Sequence, residues 1–313
     1  MEQTLYHPEH GYYSSGRATI GRRGDYFTNV SVGPLFGQLL AAQFAEIWER
    51  LGKIDNFIIV EQGAHDGAFA RDVLEALPEA SPEFFSALRY RIVEPFRVLQ
   101  DRQSQALDGF GDKVDWRDSI ERLEPFAGIH FSNELLDAMP IHLRGKLIGL
   151  EGDNLVFVEG PTDLKFNQAA LDWIDSLSTK LKRGFVLAID YGFVRDEFRE
   201  VVQVRSQHRQ LDSPFEEIGD ADITAHINWT DIAERAAAKG LCVAGFTDQH
   251  HFLTGIISTW PEFAQDSKTK RALQTLLHPE MLGRAFQVLA LTKDVDLAAA
   301  PLAGFKYARG PRL

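Results

Sequence analysis

The sequence predicts an α/β fold, in which a mostly parallel sheet is covered by helices on both faces. Short runs of β-branched and aromatic residues alternate with segments of helical periodicity along most of the chain. Parallel neighbouring strands require long crossover connections, and the predicted helices between the strands supply them. Since no internal repeat interrupts this succession, we expect residues 1–313 to form a single domain.

Each predicted strand is a short apolar run, and each predicted helix carries apolar residues three or four positions apart. The fifth strand, GFVLAID, is the most apolar of them, as expected for a strand buried on both faces. In chain order the predicted strands are 57–61, 89–94, 114–116, 129–133, 184–190, 243–246 and 286–291, and the predicted helices are 66–77, 95–107, 229–239 and 267–277.

Two stretches break the alternation. Residues 142–160 are predicted to form an inserted β-hairpin that turns near Gly152. The polar segment 194–227 is too long for a tight connection, so we expect an ordered cap or substrate loop there.

Composition and charge exclude several classes of protein. Hydrophobic residues make up 44% of the chain and charged residues 25%, as in soluble globular proteins. No apolar run approaches the roughly 18 residues of a membrane span, so no membrane partner is expected. The formal charge of −12 repels phosphate backbones, which disfavours nucleic acid and is compatible with a cationic acceptor.

The single cysteine, Cys242, excludes an internal disulfide and fits a reducing compartment. It lies in the apolar stretch LCVAGF, so we expect a buried thiol. The first residues resemble neither a signal peptide nor an Arg-rich leader, and these features together predict a cytoplasmic protein. The histidines His208, His226 and His250–His251 lack metal-ligand spacing, so no metal is expected.

The strongest chemical signal is the loop EQGAHDG, Glu61 to Gly67. It follows a predicted buried strand and opens directly into a helix, whose first N–H groups have no partner within the helix. Gly63 and Gly67 allow a tight turn and a close approach to a ligand. The spacing G-x-G-x-x-G is absent, and the preceding acid would repel a pyrophosphate but suits an ammonium group. A plain strand-to-helix turn is the alternative interpretation.

Further polar residues follow the next strands. Glu94 ends the second strand, where an acid can accept both ribose hydroxyls of a nucleoside, or can be an ordinary surface acid. An adenine ring could stack on or beside Trp116, which could equally belong to the core. Asn133 and Glu134 leave the fourth strand at the edge where ligands bind in parallel sheets, although Asn133 could also cap a helix. Asp190 ends the fifth strand in the same layer and could line a pocket or close the strand.

Several uncommon strings resemble the MidA-like methyltransferases, a family that includes mitochondrial complex I assembly factors and many bacterial relatives. The resemblance runs nearly end to end and rests on strings in the family's order. These are LYHPEHGYYSSG with IGRRGDYFTNVSVGPLFGQLLA at 5–41, EQGAHDGAFARDVL at 61–74, SNELLDAMP at 132–140, DYG at 190–192, ADITAHINW at 221–229 and HPEMLGRAFQVLAL at 278–291.

The resemblance implies a Rossmann-like class I methyltransferase sheet and S-adenosyl-L-methionine as the cofactor. For the mitochondrial members it implies symmetric dimethylation of an arginine in a complex I subunit. Residues 1–50 would form a segment that covers the cofactor pocket. By motif position, Gly63, Ala64 and Gly67 would contact the methionyl part, Glu94 would hold the ribose, and Asn133 and Glu134 would lie beside the donor. The covering segment includes Asp25, Tyr26, Phe27 and Thr28. The predicted cofactor-binding residues are Thr28, Glu61, Gly63, Ala64, Asp66, Gly67, Glu94, Trp116 and Asn133.

Methyl transfer requires donor and acceptor to be aligned, and a carboxylate can orient a guanidinium and take its proton. Glu134 is the candidate for this role, with Asn133 beside the donor and Asp190 and Tyr191 as a supporting wall. The expected partner is a protein that presents an arginine, and apolar C-terminal helices would allow a homodimer. The alternatives are a non-catalytic cofactor-binding assembly factor, which grips a partner through 194–227, and a less favoured nucleotide-dependent oxidoreductase.

One hypothesis is specific to this chain. His65 stands in the cofactor loop where many relatives have glycine. We expect its ring to pack against the loop and, when protonated, to lower the affinity for a cationic cofactor.

Overall fold

The computed structural model describes residues 1–18, 28–207, 209–259, 266–296, 300–309 and 313. No helix within these residues is both long and apolar enough to cross a membrane. The strands are β1 (Phe57–Gln62), β2 (Leu88–Val93), β3 (Val114–Arg117), β4 (Phe126–Asn133), β5 (Lys146–Glu151), β6 (Asn154–Glu159), β7 (Leu181–Phe193), β8 (Val202–Ser206), β9 (Arg209–Leu211), β10 (Asp222–Ala225), β11 (Ile227–Asn228), β12 (Cys242–Asp248) and β13 (Phe286–Lys293). The α-helices are α1 (Glu2–Tyr6), α2 (Leu35–Arg50), α3 (Ala68–Ala80), α4 (Pro82–Ala87), α5 (Arg97–Ala106), α6 (Gln168–Lys180), α7 (Trp229–Ala238), α8 (Gln249–Ile257) and α9 (Ser267–Leu277).

The central sheet has the strand order β12-β13-β7-β4-β1-β2-β3, with β11 pairing beside β7. The pairs β1–β2, β1–β4, β2–β3 and β4–β7 are parallel, whereas β13 runs antiparallel to both of its neighbours. The prediction of a Rossmann-like, mostly parallel sheet is therefore confirmed. The chain order reverses between β1 and β4, and ligands bind in the crevice at such a switch point.

Helices cover both faces of this sheet. On one face, side chains of α2, α3 and α8 form a core with β1, β2 and β4, in which the rings of Phe69 and Phe131 stack at 4.5 Å. On the other face, α6 and α7 pack on β7, where Ile174 and Val186 belong to a second core. The helices α2, α6 and α8 are not among those that the sequence analysis predicted.

The predicted inserted hairpin is formed by β5 and β6, which pair antiparallel across a turn at Gly152–Asp153. The segment 194–227 contains regular structure, since β8, β9 and β10 form a separate three-stranded antiparallel sheet. That this segment acts as a cap or substrate loop stays a prediction.

The expectation of a buried thiol at Cys242 is wrong, because this cysteine is exposed. It is the first residue of β12, and β12 is an edge strand of the central sheet. Leu241 before it is buried, but Cys242 and Val243, the first two residues of the strand, face solvent.

We predict that Gly128→Ala destabilises the protein strongly. Gly128 lies in β4 with φ +145°, and a Cβ there would meet the carbonyl oxygen of Ile58 at 2.1 Å. Backbone strain and forced separation of β1 from β4 should together lower the free energy of unfolding by about 3 kcal/mol or more. Urea denaturation monitored by circular dichroism measures this loss.

Gly109→Ala is the matched control, because a Cβ at this position would have no neighbour within 4 Å. Its free energy of unfolding should stay within about 0.5 kcal/mol of the wild-type value. Equal effects of the two substitutions would contradict the close approach of β1 and β4.

Candidate functional site

A cavity of about 680 Å³ opens at the carboxyl ends of β1, β2 and β4, next to the switch point of the sheet. This volume lies within the range of small-molecule and cofactor pockets. The cavity is lined by one acid from the end of each strand: Glu61 is the last but one residue of β1, Glu94 directly follows β2, and Glu134 directly follows β4. The structure therefore brings together the three acids that the sequence analysis selected.

The loop after β1 is shaped by residues with positive φ angles. Gly63, His65 and Gly67 have φ of 84°, 47° and 81°, and the Gly67 N–H donates to the Ala64 carbonyl at 2.8 Å. The Asp66 carboxylate accepts the N–H of Ala68, the first residue of α3, at 3.1 Å.

Four of the loop residues line the cavity beside Glu61 and Gln62, namely Gly63, Ala64, His65 and Asp66. Gly67 does not line it. A Cβ on Gly67 would lie only 3.2 Å from the Cα of Gln103, so this glycine lets the loop sit directly on α5.

The Glu61 side chain is almost fully buried, with an exposed fraction of 3%. The hydroxyl of Tyr90 donates to one of its oxygens at 2.7 Å. Burial raises the pKa of Glu61 to about 8, although the hydrogen bond from Tyr90 favours the charged form. A cation bound beside Glu61 would therefore lower its pKa and favour its ionised form.

Glu94 is held at both oxygens. The backbone N–H of Phe96 donates to Oε1 at 3.0 Å, and the Gln103 amide donates to Oε2 at 3.0 Å. Burial raises the pKa of Glu94 to about 7, against the opposing effect of these two hydrogen bonds. The carboxylate orientation is therefore fixed before any ligand binds.

Trp116 does not line the cavity, so its placement beside an adenine ring is not what the structure shows. Its indole N–H donates to Oε1 of Gln103 at 2.9 Å, and its ring packs against the core. A partly buried indole N–H needs an acceptor, and Gln103 supplies it. The aromatic residues that line the cavity are instead Tyr6, Tyr13, Phe69 and Phe96.

Two of these aromatic residues belong to the first 18 residues of the chain. The rings of Tyr6 and Phe96 stack at 6.2 Å with an interplanar angle of 5°. The Tyr6 hydroxyl donates to the Ala138 carbonyl at 2.9 Å, and the Tyr13 hydroxyl donates to Asp222 at 2.6 Å. Tyr6 and Tyr13 belong to the string LYHPEHGYYSSG, but the string alone does not indicate which of its side chains face the cavity. Phe96 was not predicted as a site residue.

Thr28 also lines the cavity, and its hydroxyl lies 2.9 Å from that of Ser31. The neighbouring residues of the GDYFT string, 25–27, lie outside the described residues, as does His208.

Asn133 and Glu134 both line the cavity after β4, where Glu134 has φ 52°. The Asn133 amide donates to Oε1 of Glu134 at 2.8 Å, and the Asn29 amide donates to Asn133 at 2.9 Å. The Gln249 amide donates in turn to Asn29 at 2.8 Å. These amides form one directed chain of hydrogen bonds that ends on Glu134, and they come from three distant parts of the sequence.

Desolvation by the cavity walls raises the pKa of Glu134 to about 8, while the hydrogen bond from Asn133 favours its charged form. A carboxyl group with a pKa near the working pH is suited to accept a proton. In the described part of the chain, no Lys or Arg forms an ion pair with Glu61, Glu94 or Glu134. The cavity thus offers an acidic lining to a cationic ligand.

Asp190 is not among the residues that line the cavity, and its assignment as a catalytic residue stays a prediction. It is buried, and its Oδ2 accepts the N–H groups of Leu135, Leu136 and Asp137 at 3.1, 2.7 and 3.2 Å. Its Oδ1 accepts the N–H of Tyr191 at 2.7 Å. Asp190 therefore shapes the turn that follows β4 and positions Glu134.

His65 lines the cavity, as the hypothesis about the loop requires, and its buried Nε2 has no hydrogen-bond partner. Its Nδ1 lies 3.9 Å from the carboxylate of Asp66. The effect of its protonation on affinity stays a prediction. Among the described residues, no group of three or more His, Cys, Asp or Glu is arranged to hold a metal ion.

Comparison with known families and structures shows which proteins this chain resembles. A family model described as "Putative S-adenosyl-L-methionine-dependent methyltransferase" matches residues 39–146 and 159–247, more than half of the chain. The matched segments contain Glu61, Glu94 and Glu134. The chain is also similar to a solved structure, a COG1565 superfamily member and likely methyltransferase from Burkholderia thailandensis bound to S-adenosyl-homocysteine. The two are 28% identical and superpose with a TM-score of 0.85, and the match covers 98% of this chain and 89% of that one.

Curated relatives are more distant but similar over nearly the whole chain. The mitochondrial protein arginine methyltransferase NDUFAF7 homolog of Drosophila melanogaster is 24% identical over 97% of this chain and 84% of its own length. Human mitochondrial NDUFAF7 is 22% identical over 100% of this chain and 82% of its own. These mitochondrial relatives contradict the expectation of a cytoplasmic protein, since a lone cysteine indicates a reducing environment without identifying the compartment.

We predict that Asp190→Ala destabilises the protein, because three buried N–H groups of the turn after β4 lose their acceptor. Each buried donor without a partner costs about 1–3 kcal/mol, so the free energy of unfolding should fall by about 3 kcal/mol or more. Urea denaturation measures this loss. The exposed Asp196→Ala is the control, and wild-type stability of Asp190→Ala would contradict the structural role.

Proposed function

Because the chain belongs to the family of S-adenosyl-L-methionine-dependent methyltransferases, we propose that it methylates an arginine side chain of a partner protein. S-adenosyl-L-methionine is its cofactor. The curated relatives named as protein arginine methyltransferases support the arginine acceptor. By the same resemblance, we propose that the partner is a subunit of a respiratory complex under assembly.

The residues of the cavity fit this cofactor. S-adenosyl-L-methionine carries a sulfonium and an ammonium group, and five carboxyl groups line the cavity, those of Glu2, Glu61, Asp66, Glu94 and Glu134. Among the described residues, no Lys or Arg forms an ion pair with Glu61, Glu94 or Glu134. Glu61, beside the loop, would hold the ammonium end. Glu94, whose orientation is fixed by Phe96 and Gln103, would accept the ribose hydroxyls. This acidic lining is the single observation that carries the proposal.

When bound, the cofactor supplies an electrophilic methyl group on its sulfonium. The task left to the protein is to align the acceptor and to remove its proton. Oε1 of Glu134 accepts the Asn133 amide, and the carboxylate also accepts the backbone N–H of Asn29. Its remaining lone pairs would accept an N–H of a guanidinium. The raised pKa of Glu134, about 8, lets the same carboxylate take the proton that the acceptor loses.

The charge of the chain agrees with an arginine acceptor. A formal charge of −12 and an acidic cavity attract a cationic side chain and raise its local concentration. A phosphate-rich acceptor such as nucleic acid would be repelled by the same field.

A second candidate function is a cofactor-binding assembly factor that grips its partner without methylating it. The hairpin β5–β6 favours this alternative, because it exposes large apolar side chains to solvent. The exposed fractions of Leu147, Ile148 and Leu150 are 49%, 56% and 71%, and such patches commonly mark interaction surfaces.

We predict that Glu134→Gln lowers methyl transfer at least about 100-fold, since the variant has no base for the acceptor proton. Its affinity for S-adenosyl-homocysteine should change less than about threefold, because the amide keeps the shape of the cavity. Transfer of labelled methyl groups to arginine peptides and isothermal titration measure the two quantities.

The exposed Glu75→Gln on α3 is the matched control and should retain full transfer. Unchanged methylation by Glu134→Gln would remove its catalytic role. Wild-type protein that binds the cofactor and transfers no methyl group would favour the assembly-factor alternative.

We also predict that affinity for S-adenosyl-homocysteine rises about tenfold or more between pH 6 and 8.5. In the free protein Glu94 and Glu61 retain protons up to pH values of about 7 and about 8. The ligand ammonium favours the ionised form of Glu61, and the ribose hydroxyls, as donors, favour the ionised form of Glu94. Binding below these pKa values must therefore release protons and is weaker. Isothermal titration in buffers of different ionisation enthalpy measures both the affinity and the proton release.

Glu61→Gln should lose most of this pH dependence, whereas His65→Asn should lose only the part that protonation of the imidazole contributes. If His65→Asn loses the pH dependence and Glu61→Gln retains it, the pH dependence belongs to the imidazole of His65. An affinity that is constant over this range would contradict the role of both acids.

A further inference from the structure

Gln103 is a fully buried polar residue on α5 that lies outside the cavity wall. Its side chain makes a complete set of hydrogen bonds. Nε2 donates to the His65 carbonyl and to Oε2 of Glu94, both at 3.0 Å, and Oε1 accepts the indole N–H of Trp116 at 2.9 Å. Among the residues named in the site, Gln103 alone contacts three of its parts at once: the cofactor loop through His65, the acid Glu94 that follows β2, and Trp116 in β3.

The chemistry of the three partners fixes which way the Gln103 amide points. A carbonyl and a carboxylate can only accept, so both require the NH₂ side of the amide. The indole of Trp116 can only donate, so it requires the oxygen side. A flipped amide would place its oxygen against the oxygens of His65 and Glu94. All three partners therefore require the same orientation of Gln103, and Trp116 holds its oxygen side.

The backbone places the cofactor loop directly on this glutamine. Gly67 has φ 81°, and a Cβ at Gly67 would lie 3.2 Å from the Cα of Gln103. The His65 carbonyl then points from the middle of the loop to the Gln103 amide. One side chain thus joins the loop after β1 to the acid after β2, the two parts of the cavity that would hold the two ends of one ligand.

We propose that Gln103 is a positioning residue, which sets the separation between the Glu61–Gly67 loop and Glu94 and thereby determines the affinity for adenosyl amino acids. Trp116 holds its oxygen side. This inference rests on the proposed placement of the cofactor, with ribose at Glu94 and the amino-acid end at the loop. The function of Trp116 is then indirect, through Gln103.

A purely structural role makes a different prediction. A buried amide that only satisfies its neighbours would, when replaced, lower stability and weaken every ligand of the cavity to a similar degree. A positioning residue that links the two ends of the cavity should matter most for a ligand that spans both ends. Adenosine occupies one end and S-adenosyl-homocysteine occupies both, so the ratio of their affinities separates the two roles.

The experiment is isothermal titration of the full chain and its variants with S-adenosyl-homocysteine and adenosine, together with thermal unfolding. Gln103→Met keeps the length of the side chain and removes its hydrogen bonds. We expect the affinity for S-adenosyl-homocysteine to fall about 30-fold. The ratio of the two affinities should fall about tenfold. The exposed Gln105→Met on the same helix is the control and should bind as the wild type does.

Gln103→Glu replaces a donor with a carboxyl group that faces Glu94 and the His65 carbonyl. The charged and titratable groups around Glu94 are the His65 ring from the loop and the Tyr6 hydroxyl from α1; Trp116 from β3 does not titrate. Lowering the pH protonates the new carboxyl and restores one donor. We therefore expect this variant to bind better at pH 6 than at pH 8.5, the reverse of the wild type.

Trp116→Phe keeps an aromatic ring and leaves Oε1 of Gln103 without its donor, which loosens the Gln103 side chain, so it should weaken S-adenosyl-homocysteine about three- to tenfold. This variant preserves the test if Gln103→Met does not fold. The proposal is overturned if folded Gln103→Met, or Trp116→Phe in its place, binds both ligands as the wild type does, or weakens both equally. Failure of the wild type to bind S-adenosyl-homocysteine would overturn the proposed function itself and this inference with it.

Discussion

The structure depends on one electrostatic constraint: Glu61, Glu94 and Glu134 share one cavity, and within the part of the chain that is described no Lys or Arg forms an ion pair with any of them. Parallel strands that end at one edge of the sheet bring Glu61, Glu94 and Glu134 to the same place. Burial disfavours their charged forms, so the pKa values of all three lie well above those of exposed acids. A ligand that carries positive charge relieves this constraint, and S-adenosyl-L-methionine carries two such charges.

Residues behind the cavity hold these acids in place. Asp190 fixes the turn that carries Glu134 by accepting backbone N–H groups, and the amides of Asn133, Asn29 and Gln249 lead to the same carboxylate from remote elements. Gln103 has the corresponding position behind Glu94. The polar groups that touch a ligand are thus oriented by a second set of buried polar groups, and this organisation keeps catalytic geometry fixed before binding.

The sequence predicted the sheet well, because apolar runs such as GFVLAID and the strand–turn–helix at Glu61–Gly67 are local patterns. It also identified the three acids, since strand ends in a parallel sheet converge by topology. It could not place Asp190 or Trp116, because whether a polar side chain faces the cavity or the scaffold depends on neighbours distant in sequence. Gln103 and Asn29 gave no signal, since a buried amide and an exposed one look alike in sequence. The exposure of Cys242 was missed because the edge position of β12 follows only from the strand order.

The most direct test of the central claim is a crystal structure of this protein with S-adenosyl-homocysteine. We expect the ligand in the cavity at the ends of β1, β2 and β4, with both ribose hydroxyls bonded to Glu94, the amino-acid end at the Glu61–Gly67 loop, and its sulfur facing Glu134. A ligand bound elsewhere, or one whose ribose lies away from Glu94, would contradict the account.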